Sequence, residues 1–281
     1  PRANGSKARQ PIERAAFGLP VLDEMLRGGI PRGTCTLLAG SLGTGKTLLA
    51  LNFVLAGIRA GERAVMLGFR ESREQLVLAG EPFALGEELA RALEPDGSLT
   101  FLEVPPIKIN ADVLADRLLA ELDHTGARRV VIDSVAELER AVLRGLDPQR
   151  LDDYLAALLQ ALRQRNVTAL LAKETDQVVA ASLELSADAL SVLAENVLLL
   201  QHTPYQGHLH RIISVLKLRF SDHNTAIREF RIRAPEGIQV LLSSASDEGV
   251  LEGISGGQGP QAQRGARDQS RESPGNREGR S

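Results

Sequence analysis

The chain has 281 residues, of which 43% are hydrophobic and 25% are charged, so it is long enough to bury the core of one large domain or two small ones. The formal net charge of −3 provides no overall basic field for holding nucleic acid, and the single cysteine, Cys35, excludes both a disulfide framework and a cysteine metal site. No uninterrupted apolar run approaches the roughly 18 residues that span a bilayer, and the N-terminus has no apolar signal-peptide core, so we expect a cytoplasmic protein without a membrane partner.

Both ends of the chain have the composition of unfolded segments. Residues 1–15 are polar, basic and rich in small residues, which is typical of a disordered linker. Residues 257–281 consist largely of Gly, Gln, Arg, Ser and Pro, which predicts a disordered tail. Between them we predict one ordered domain over residues 16–256, which opens with a short amphipathic helix that ends at Gly28 and Gly29.

A glycine-rich loop separates the first predicted core strand, Cys35–Ala39, from a helix predicted over residues 46–60. The loop has the pattern G-x-x-x-x-G-K-T in its required setting, with a strand before it and a helix after it. Its glycines let backbone N–H groups turn inward, and the helix adds the positive end of its dipole. A triphosphate fits such a cradle, with Lys46 neutralising the β- and γ-phosphates and the Thr47 hydroxyl serving as a ligand for Mg²⁺. The predicted ATP-binding residues are therefore Gly40, Ser41, Leu42, Gly43, Thr44, Gly45, Lys46 and Thr47.

An acidic residue, Glu71, follows the second predicted strand, Ala64–Phe69. Ligands of open α/β sheets bind beyond the carboxyl ends of the strands, so Glu71 is expected in the same region as the glycine-rich loop. There its carboxylate would polarise the water that attacks a γ-phosphate. The alternative is that Glu71 begins a helix over residues 72–79, where the helix dipole stabilises a carboxylate.

Asp133 ends another apolar strand, Arg129–Ser134. An acid at the end of a strand near a phosphate loop is the carboxylate that a Mg²⁺ site needs. Asp133 and Thr47 are therefore the predicted metal-binding residues.

Strands and helices alternate through most of the chain, which predicts an α/β fold with a mostly parallel sheet and helices on both faces. The remaining elements of this part are helices over 86–93, 112–124 and 148–165 and strands over 99–104 and 167–172. From Asn196 onward the pattern changes to strands joined by turns, over 196–202, 208–219, 228–233 and 237–242. Such a run predicts an antiparallel C-terminal extension at one edge of the sheet.

Two further stretches resemble the KaiC family of RecA-type ATPases. Residues 22–33, which read LDEMLRGGIPRG, resemble that family's lead into its phosphate loop. Residues 215–223, which read VLKLRFSDH, are similar to the family's K-x-R-x-x-x-H strand and turn. The similarity runs from about Phe17 to Gly256, and it implies a RecA-like P-loop NTPase core.

The resemblance also implies assembly into a ring, usually a hexamer, with ATP held between neighbouring subunits. In that arrangement Lys217 and Arg219 reach the γ-phosphate of a neighbour's nucleotide and act as catalytic residues, and His223 lies close by. Positive charge supplied in this way stabilises the transition state of phosphoryl transfer. Without the resemblance, Lys217 and Arg219 would be interpreted as the solvated basic face of an edge strand.

Two positions in the resemblance affect the expected activity. The family typically carries two adjacent glutamates after the second strand, whereas this chain has Arg70 and Glu71 there, which predicts slow or lost hydrolysis unless Glu71 substitutes. Alignment to the adjacent Ser and Thr that accept phosphate in the family's autokinase domain places Ser191 on the acceptor pair. The alternative is that Ser191 is an unreactive serine in a helix or loop.

The sequence is compatible with three functions. The first is a Mg²⁺-dependent ATPase that forms a ring, transmits nucleotide state to a signalling partner and carries out serine autophosphorylation at Ser191. The second is a DNA repair or recombination ATPase on the same core, although the loop over residues 176–195 has four acidic residues and no Lys or Arg, which disfavours nucleic acid. The third, suggested by Arg70, is a nucleotide-binding scaffold without turnover.

Overall fold

The computed structural model describes residues 12–105, 110–143, 148–175 and 189–242. Its strands are β1 (Arg14–Ala15), β2 (Ile30–Pro31), β3 (Cys35–Gly40), β4 (Ala64–Gly68), β5 (Leu99–Glu103), β6 (Arg129–Asp133), β7 (Thr168–Glu174), β8 (Asn196–Tyr205), β9 (His208–Leu218), β10 (Arg228–Arg233) and β11 (Gly237–Val240). Its helices are α1 (Pro20–Met25), α2 (Lys46–Arg59), α3 (Arg73–Gly80), α4 (Gly86–Ala92), α5 (Ala111–Thr125), α6 (Val135–Leu143), α7 (Pro148–Gln164) and α8 (Ala189–Leu193), with a 3-10 turn at Glu81–Phe83. Among the described residues, no helix is long and apolar enough to cross a membrane.

A nine-stranded sheet forms the centre of the molecule, in the order β11-β10-β9-β8-β3-β7-β6-β4-β5. From β8 to β5 all neighbouring strands are parallel, whereas β8, β9, β10 and β11 are joined antiparallel. The predicted mostly parallel α/β sheet and its antiparallel C-terminal extension are therefore confirmed.

Helices cover both faces of the parallel part of the sheet. Apolar side chains of α1–α4 form a core with one face, and those of α5–α8 form a second core with the other face. All six residues of β3 are consequently buried. This two-sided burial explains why the central strands read as continuous apolar runs rather than as alternating patterns.

The parallel strands all end on one side of the sheet and all begin on the opposite side, and these two sides carry different residues. The carboxyl ends of β3, β7, β6 and β4 form what we call the carboxyl edge, where Gly40 is in register with Glu174 and Gly68 with Asp133. The opposite, amino edge contains the starts of these strands. Because β9 is antiparallel to β8, Leu218 pairs with Asn196 and the end of β9 lies at the amino edge.

Several elements extend beyond the sequence prediction. β8 continues to Tyr205 because Gln206 and Gly207 close a two-residue hairpin with φ of 48° and 79°, which is the geometry of a type I′ turn. β7 continues to Glu174, which places the last residues of that strand beside the glycine-rich loop.

The last residues of the predicted linker are ordered. Arg14 and Ala15 pair with Pro31 and Ile30 in a small antiparallel sheet. The Arg14 guanidinium donates to the carbonyl oxygens of Leu26 and Gly29, each at 2.9 Å, which fixes this segment to the end of the first helix region. Regular structure therefore begins before Phe17, while residues 1–11 and 243–281 lie outside the described residues.

Candidate functional site

The loop between β3 and α2 depends on glycine at three positions. Gly43 and Gly45 have φ of 74° and 98°, in the left-handed region that favours glycine. A Cβ on Gly45 would lie 2.5 Å from Cδ1 of Ile232, and one on Gly40 would lie 2.6 Å from the carbonyl oxygen of Leu200. The loop therefore turns tightly into α2 while it packs on the antiparallel extension.

The Lys46 ammonium is held inside this loop. Its Nζ donates to the carbonyl oxygens of Gly40 and Ser41, each at 2.9 Å. Burial lowers the pKa of Lys46, and the charges of Glu174 and Asp133 raise it. A positive charge thus lies next to the N-terminus of α2, which is an arrangement that suits a phosphate group.

The remaining loop residues differ in exposure. Thr44 is buried, and its hydroxyl donates to the carbonyl oxygen of Ser41 at 2.8 Å, which closes the turn. Leu42 is 67% exposed at the tip of the loop. All eight predicted ATP-binding residues therefore belong to one continuous structure at the carboxyl edge.

Thr47 and Asp133 meet at this edge although 86 residues separate them. The Thr47 hydroxyl donates to Oδ2 of Asp133 at 2.7 Å. Asp133 is 9% exposed, and burial raises its pKa, while the hydrogen bond from Thr47 and the charges of Lys46 and Arg70 act in the opposite direction. A hydroxyl and a carboxylate are the hard oxygen ligands that Mg²⁺ prefers, so the donor set fits the predicted metal.

Glu71 lies in the field of Asp133 at the same edge. Burial raises the pKa of the half-buried Glu71 carboxyl, and the charge of Asp133 raises it further. α3 begins at Arg73 and is capped by Ser72, whose hydroxyl accepts from the Gln75 N–H while the Gln75 side chain accepts from the Ser72 N–H. Glu71 thus lies directly before the cap rather than within the helix, and its stabilisation by the helix dipole stays a prediction. Its role with water stays a prediction.

Arg70 reaches across the carboxyl edge. Its Nη2 donates to Oε1 of Glu137 on α6 at 3.1 Å, and its Nη1 lies 4.0 Å from Oε2 of Glu174 at the end of β7. The hydrogen bond to Glu137 raises the pKa of Arg70, whose side chain is 55% exposed. The residue that departs from the family's glutamate pair therefore lies among carboxylates near the glycine-rich loop.

Lys217, Arg219 and His223 lie far from the glycine-rich loop along the strands. They belong to the end of β9 and the turn after it, which are at the amino edge, whereas the loop is at the carboxyl edge. Lys217 and His223 are half-buried and Arg219 is exposed. Within one copy of the chain, the structure does not bring these three residues together with Lys46.

Lys217 has internal partners at the amino edge. Its Nζ donates to the backbone carbonyl oxygens of Ser191, Val192 and Ala194, at 3.3, 3.2 and 2.6 Å. These carbonyls belong to the end of α8, where a cation is favourable. The pairing of β8 with β9 skips Leu216, which marks a bulge directly before Lys217. In the single chain Lys217 is therefore a helix-capping cation and not a solvated one.

Ser191 lies on α8 and is half-buried. Its backbone oxygen is one of the partners of Lys217, so the predicted phosphate acceptor and one predicted catalytic cation are neighbours. The rest of the loop predicted to face a nucleic acid, residues 176–188, lies outside the described residues.

The sequence did not reveal several residues that support the site. Arg211 on β9 donates from Nε to the carbonyl oxygen of Gly43 at 3.3 Å, and Ile232 on β10 lies under Gly45. Glu137 is a partner of Arg70 although it follows 67 residues later. A correct length for the β8–β9 hairpin would have pointed to Arg211, because the turn fixes which residues of β9 lie beside β8.

Comparison with known proteins agrees with this architecture. The profile of the family described as "ATPase: KaiC" matches residues 15–245. The chain is 29% identical over 240 residues to the circadian clock oscillator protein KaiC of Thermostichus vulcanus, which covers 85% of this chain and 45% of that relative. It is 28% identical over 240 residues to KaiC 1 of Synechocystis sp., covering 85% and 44%, and 30% identical over 219 residues to KaiC of Rippkaea orientalis, covering 78% and 40%.

The part of the chain that aligns covers 40 to 45% of the length of these curated relatives, so the chain spans about half of their length. The family profile, however, covers all nine strands of the central sheet, from β3 to β11, together with the glycine-rich loop and the Thr47–Asp133 pair. The chain therefore belongs to the KaiC family of ATPases.

Proposed function

We propose that this chain is a Mg²⁺-dependent ATPase that binds ATP in the glycine-rich loop and works as a ring-forming nucleotide switch. The observation that carries the proposal is the joint placement of Lys46 inside the loop and of the 2.7 Å Thr47–Asp133 pair beside it. Together these groups supply a cation for the phosphates and oxygen ligands for a metal, at the N-terminus of one helix.

Each group has a distinct role in the proposed reaction. Lys46 neutralises charge on the β- and γ-phosphates, and Thr47 and Asp133 hold Mg²⁺, which shields the phosphates when bound. Glu71 orients the attacking water and accepts its proton. Because burial raises the pKa of this carboxyl, it is a stronger base than an exposed glutamate.

The position of Lys217 and Arg219 supports a shared site between subunits. These cations are at the amino edge and the nucleotide loop is at the carboxyl edge, so a head-to-tail ring would bring one protomer's cations to the next protomer's ATP. We propose a hexamer in which Lys217, Arg219 and His223 complete the neighbouring site. The ring would then transmit its nucleotide state to a signalling partner protein.

Binding and assembly are tested with Lys46→Ala. We expect this variant to lose both ATP binding, measured with a fluorescent ATP analogue, and the ATP–Mg²⁺-dependent increase in mass measured by light scattering. Arg150→Ala, which removes an exposed ion pair between α7 and Asp112 of α5, serves as the control and should keep both. A Lys46→Ala protein that still assembles with ATP would contradict a site shared between subunits.

Hydrolysis is tested with Glu71→Gln. We expect phosphate release to fall about 100-fold, the scale of a general base, while ATP binding stays. Glu74→Gln is the matched control, because Glu74 lies in the first turn of α3 and is exposed. Equal, background-level phosphate release from wild type and Glu71→Gln would favour the scaffold without turnover.

Serine autophosphorylation is a second activity that the placement of Ser191 favours. Lys217 bonds to the backbone of Ser191, so a neighbour's γ-phosphate that reached Lys217 would also come near this serine. A bond would form between Oγ of Ser191 and the γ-phosphorus as the bond to the bridging oxygen of ADP breaks, and the hydroxyl proton would pass to solvent. Mass spectrometry after incubation with ATP–Mg²⁺ should find one phosphate on wild type and none on Ser191→Ala; an unmodified Ser191 in the assembled protein rejects this activity.

A further inference from the structure

Arg70 has a fixed position between two well-ordered elements. β4 ends at Gly68, which is in register with Asp133, and the capping box of Ser72 fixes the start of α3. The backbone of Arg70 is thus held at the carboxyl edge from both sides. Only its side chain is free to change partners.

The guanidinium of Arg70 extends toward the glycine-rich loop. The strand order is β3-β7-β6-β4, so Nη1 crosses β6 to come within 4.0 Å of Glu174 on β7. Glu174 is the register partner of Gly40, the first residue of the loop. Neighbouring strands are about 4.8 Å apart, so the partner that Arg70 reaches lies on the strand next to the loop that holds Lys46.

The present partners of Arg70 hold it weakly. Its contact with Glu137 is a single hydrogen bond on a side chain that is 55% exposed, and Glu174 lies at the limit of an ion pair. Glu137 also accepts from Arg140 at 2.8 Å, so it keeps a cation if Arg70 leaves. Exposed pairs of this kind contribute little, whereas an arginine binds a phosphate through two parallel, charge-assisted hydrogen bonds.

The electrostatics of the loop also favour an anion between Arg70 and Lys46. Both side chains are positively charged and lie at the carboxyl edge, Arg70 beside Glu174 and Lys46 on the carbonyl oxygens of Gly40 and Ser41. The two cations therefore repel each other across the edge. A phosphate group placed between them would remove that repulsion.

We propose that Arg70 is a second phosphate-binding residue, which moves from Glu137 to the terminal phosphate of a bound nucleoside triphosphate. This inference rests on the proposed binding of ATP in the loop. A diphosphate has no terminal group at this point, so Arg70 discriminates between ATP and ADP. The exchange also breaks the hydrogen bond between Arg70 and Glu137. The contact between α6 and the segment after β4 is therefore lost when the triphosphate binds.

The first experiment compares Kd values for a non-hydrolysable ATP analogue and for ADP, both with Mg²⁺. For Arg70→Gln we expect a loss of about tenfold in affinity for the analogue and less than twofold for ADP, because only the triphosphate reaches this side chain. Arg140→Gln is the matched control, since Arg140 binds the same oxygen of Glu137 from the next turn of α6 as a 63% exposed side chain. It should change neither affinity.

Two further variants separate a phosphate contact from a structural role. Glu137→Gln releases Arg70, so this single variant should bind the analogue about threefold more tightly than wild type. The same substitution made together with Arg70→Gln should not tighten binding. Arg70→Lys keeps the charge without the planar fork and should recover part of the lost affinity. Additive effects in the double variant would overturn the exchange.

The outcomes also separate this inference from the function on which it rests. Equal changes in ATP-analogue and ADP affinity for Arg70→Gln, or no change in either, overturn the role of Arg70 and leave ATP binding in place. Failure of the wild-type protein to bind either nucleotide overturns both.

Discussion

The two edges of the sheet use their charged residues in different ways. At the amino edge, Arg129 is 2% exposed and donates to Glu62 and to the carbonyl oxygens of Ala16 and Phe53, at 2.5, 2.6 and 2.7 Å. At the carboxyl edge, Arg70 is 55% exposed and has one hydrogen bond. Arg129 therefore stabilises the fold through its internal hydrogen bonds, whereas Arg70 keeps donors for a ligand.

The carboxylates show the same contrast. Glu195 at the amino edge accepts from Arg163 at 2.7 Å and from the backbone N–H of Cys35 at 2.9 Å. At the carboxyl edge, burial raises the pKa of Asp133 and Glu71, which shows that these carboxylates lack full compensation. The amino edge therefore holds a fully paired carboxylate, and the charges that a nucleotide and a metal would satisfy lie at the carboxyl edge.

The largest expected effect is on the amino edge. Arg129→Met leaves Glu62 with Arg32 as its remaining partner and removes the hydrogen bonds to Ala16 and Phe53 and the contact with the Phe53 ring, 4.5 Å away, so we expect a loss of about 2–4 kcal/mol in the free energy of unfolding. Arg128→Met, at the exposed neighbouring position, should cost less than about 0.5 kcal/mol. Urea denaturation measures both, and similar values for the two variants would contradict the division between the edges.

At the carboxyl edge the expected effect is larger on binding than on folding. Thr47→Val removes the hydroxyl that would coordinate Mg²⁺, so we expect Mg²⁺-dependent ATP affinity to fall about 10- to 100-fold, with a loss of about 1 kcal/mol in urea stability from the missing hydrogen bond to Asp133. Thr47→Ser keeps the hydroxyl and should bind like wild type. Isothermal titration with and without Mg²⁺ measures this, and a loss that is equal without Mg²⁺ would argue against a metal ligand.

Some of the charged residues at the two edges can be recognised from the sequence alone, and others cannot. The glycine-rich loop and Asp133 are recognisable because their chemistry depends on local spacing at strand ends. The burial of Arg129 is not, because it depends on partners 67 and 76 residues away. Arg70 is recognisable only as a departure from the family pattern. Its carboxylate partners belong to α6 and β7, so they become visible only when the order of the parallel strands is known.

A smaller effect tests whether Lys217 also contributes to the fold. Its three carbonyl partners at the end of α8 predict that Lys217→Met costs about 1 kcal/mol of stability in the isolated chain, without nucleotide. Arg219→Met, which removes an exposed cation two residues later, should cost less than half as much. Thermal unfolding at low protein concentration measures the difference; equal values would show that the Lys217 contacts do not stabilise α8.

The smallest effect concerns pH. The raised pKa of Asp133 means that the folded chain binds this proton more tightly than the unfolded chain, whose carboxyl titrates near about 3.9. The associated stability is therefore present below that pH and is lost as the pH rises through the folded pKa. We expect Asp133→Asn to be about 1 kcal/mol more stable than wild type at neutral pH without Mg²⁺, and to lose this advantage in acid.

Unfolding followed at a series of pH values in EDTA measures the Asp133 effect. Asp152→Asn, on the exposed side of α7, is the control and should show no comparable dependence. A stability difference for Asp133→Asn that is constant from acid to neutral pH would contradict an uncompensated carboxylate at this edge.

β9 joins the two edges in a single strand. Arg211 supports the glycine-rich loop of its own chain, and Lys217, six residues later and about 20 Å along the strand, lies at the surface proposed to meet the next protomer. In the proposed ring, one end of each β9 would therefore lie beside the nucleotide site of its own chain, and the other end beside the site of its neighbour. Consecutive sites would then be linked by an unbroken stretch of covalent backbone, so that a displacement of one phosphate loop is passed directly to the adjacent site.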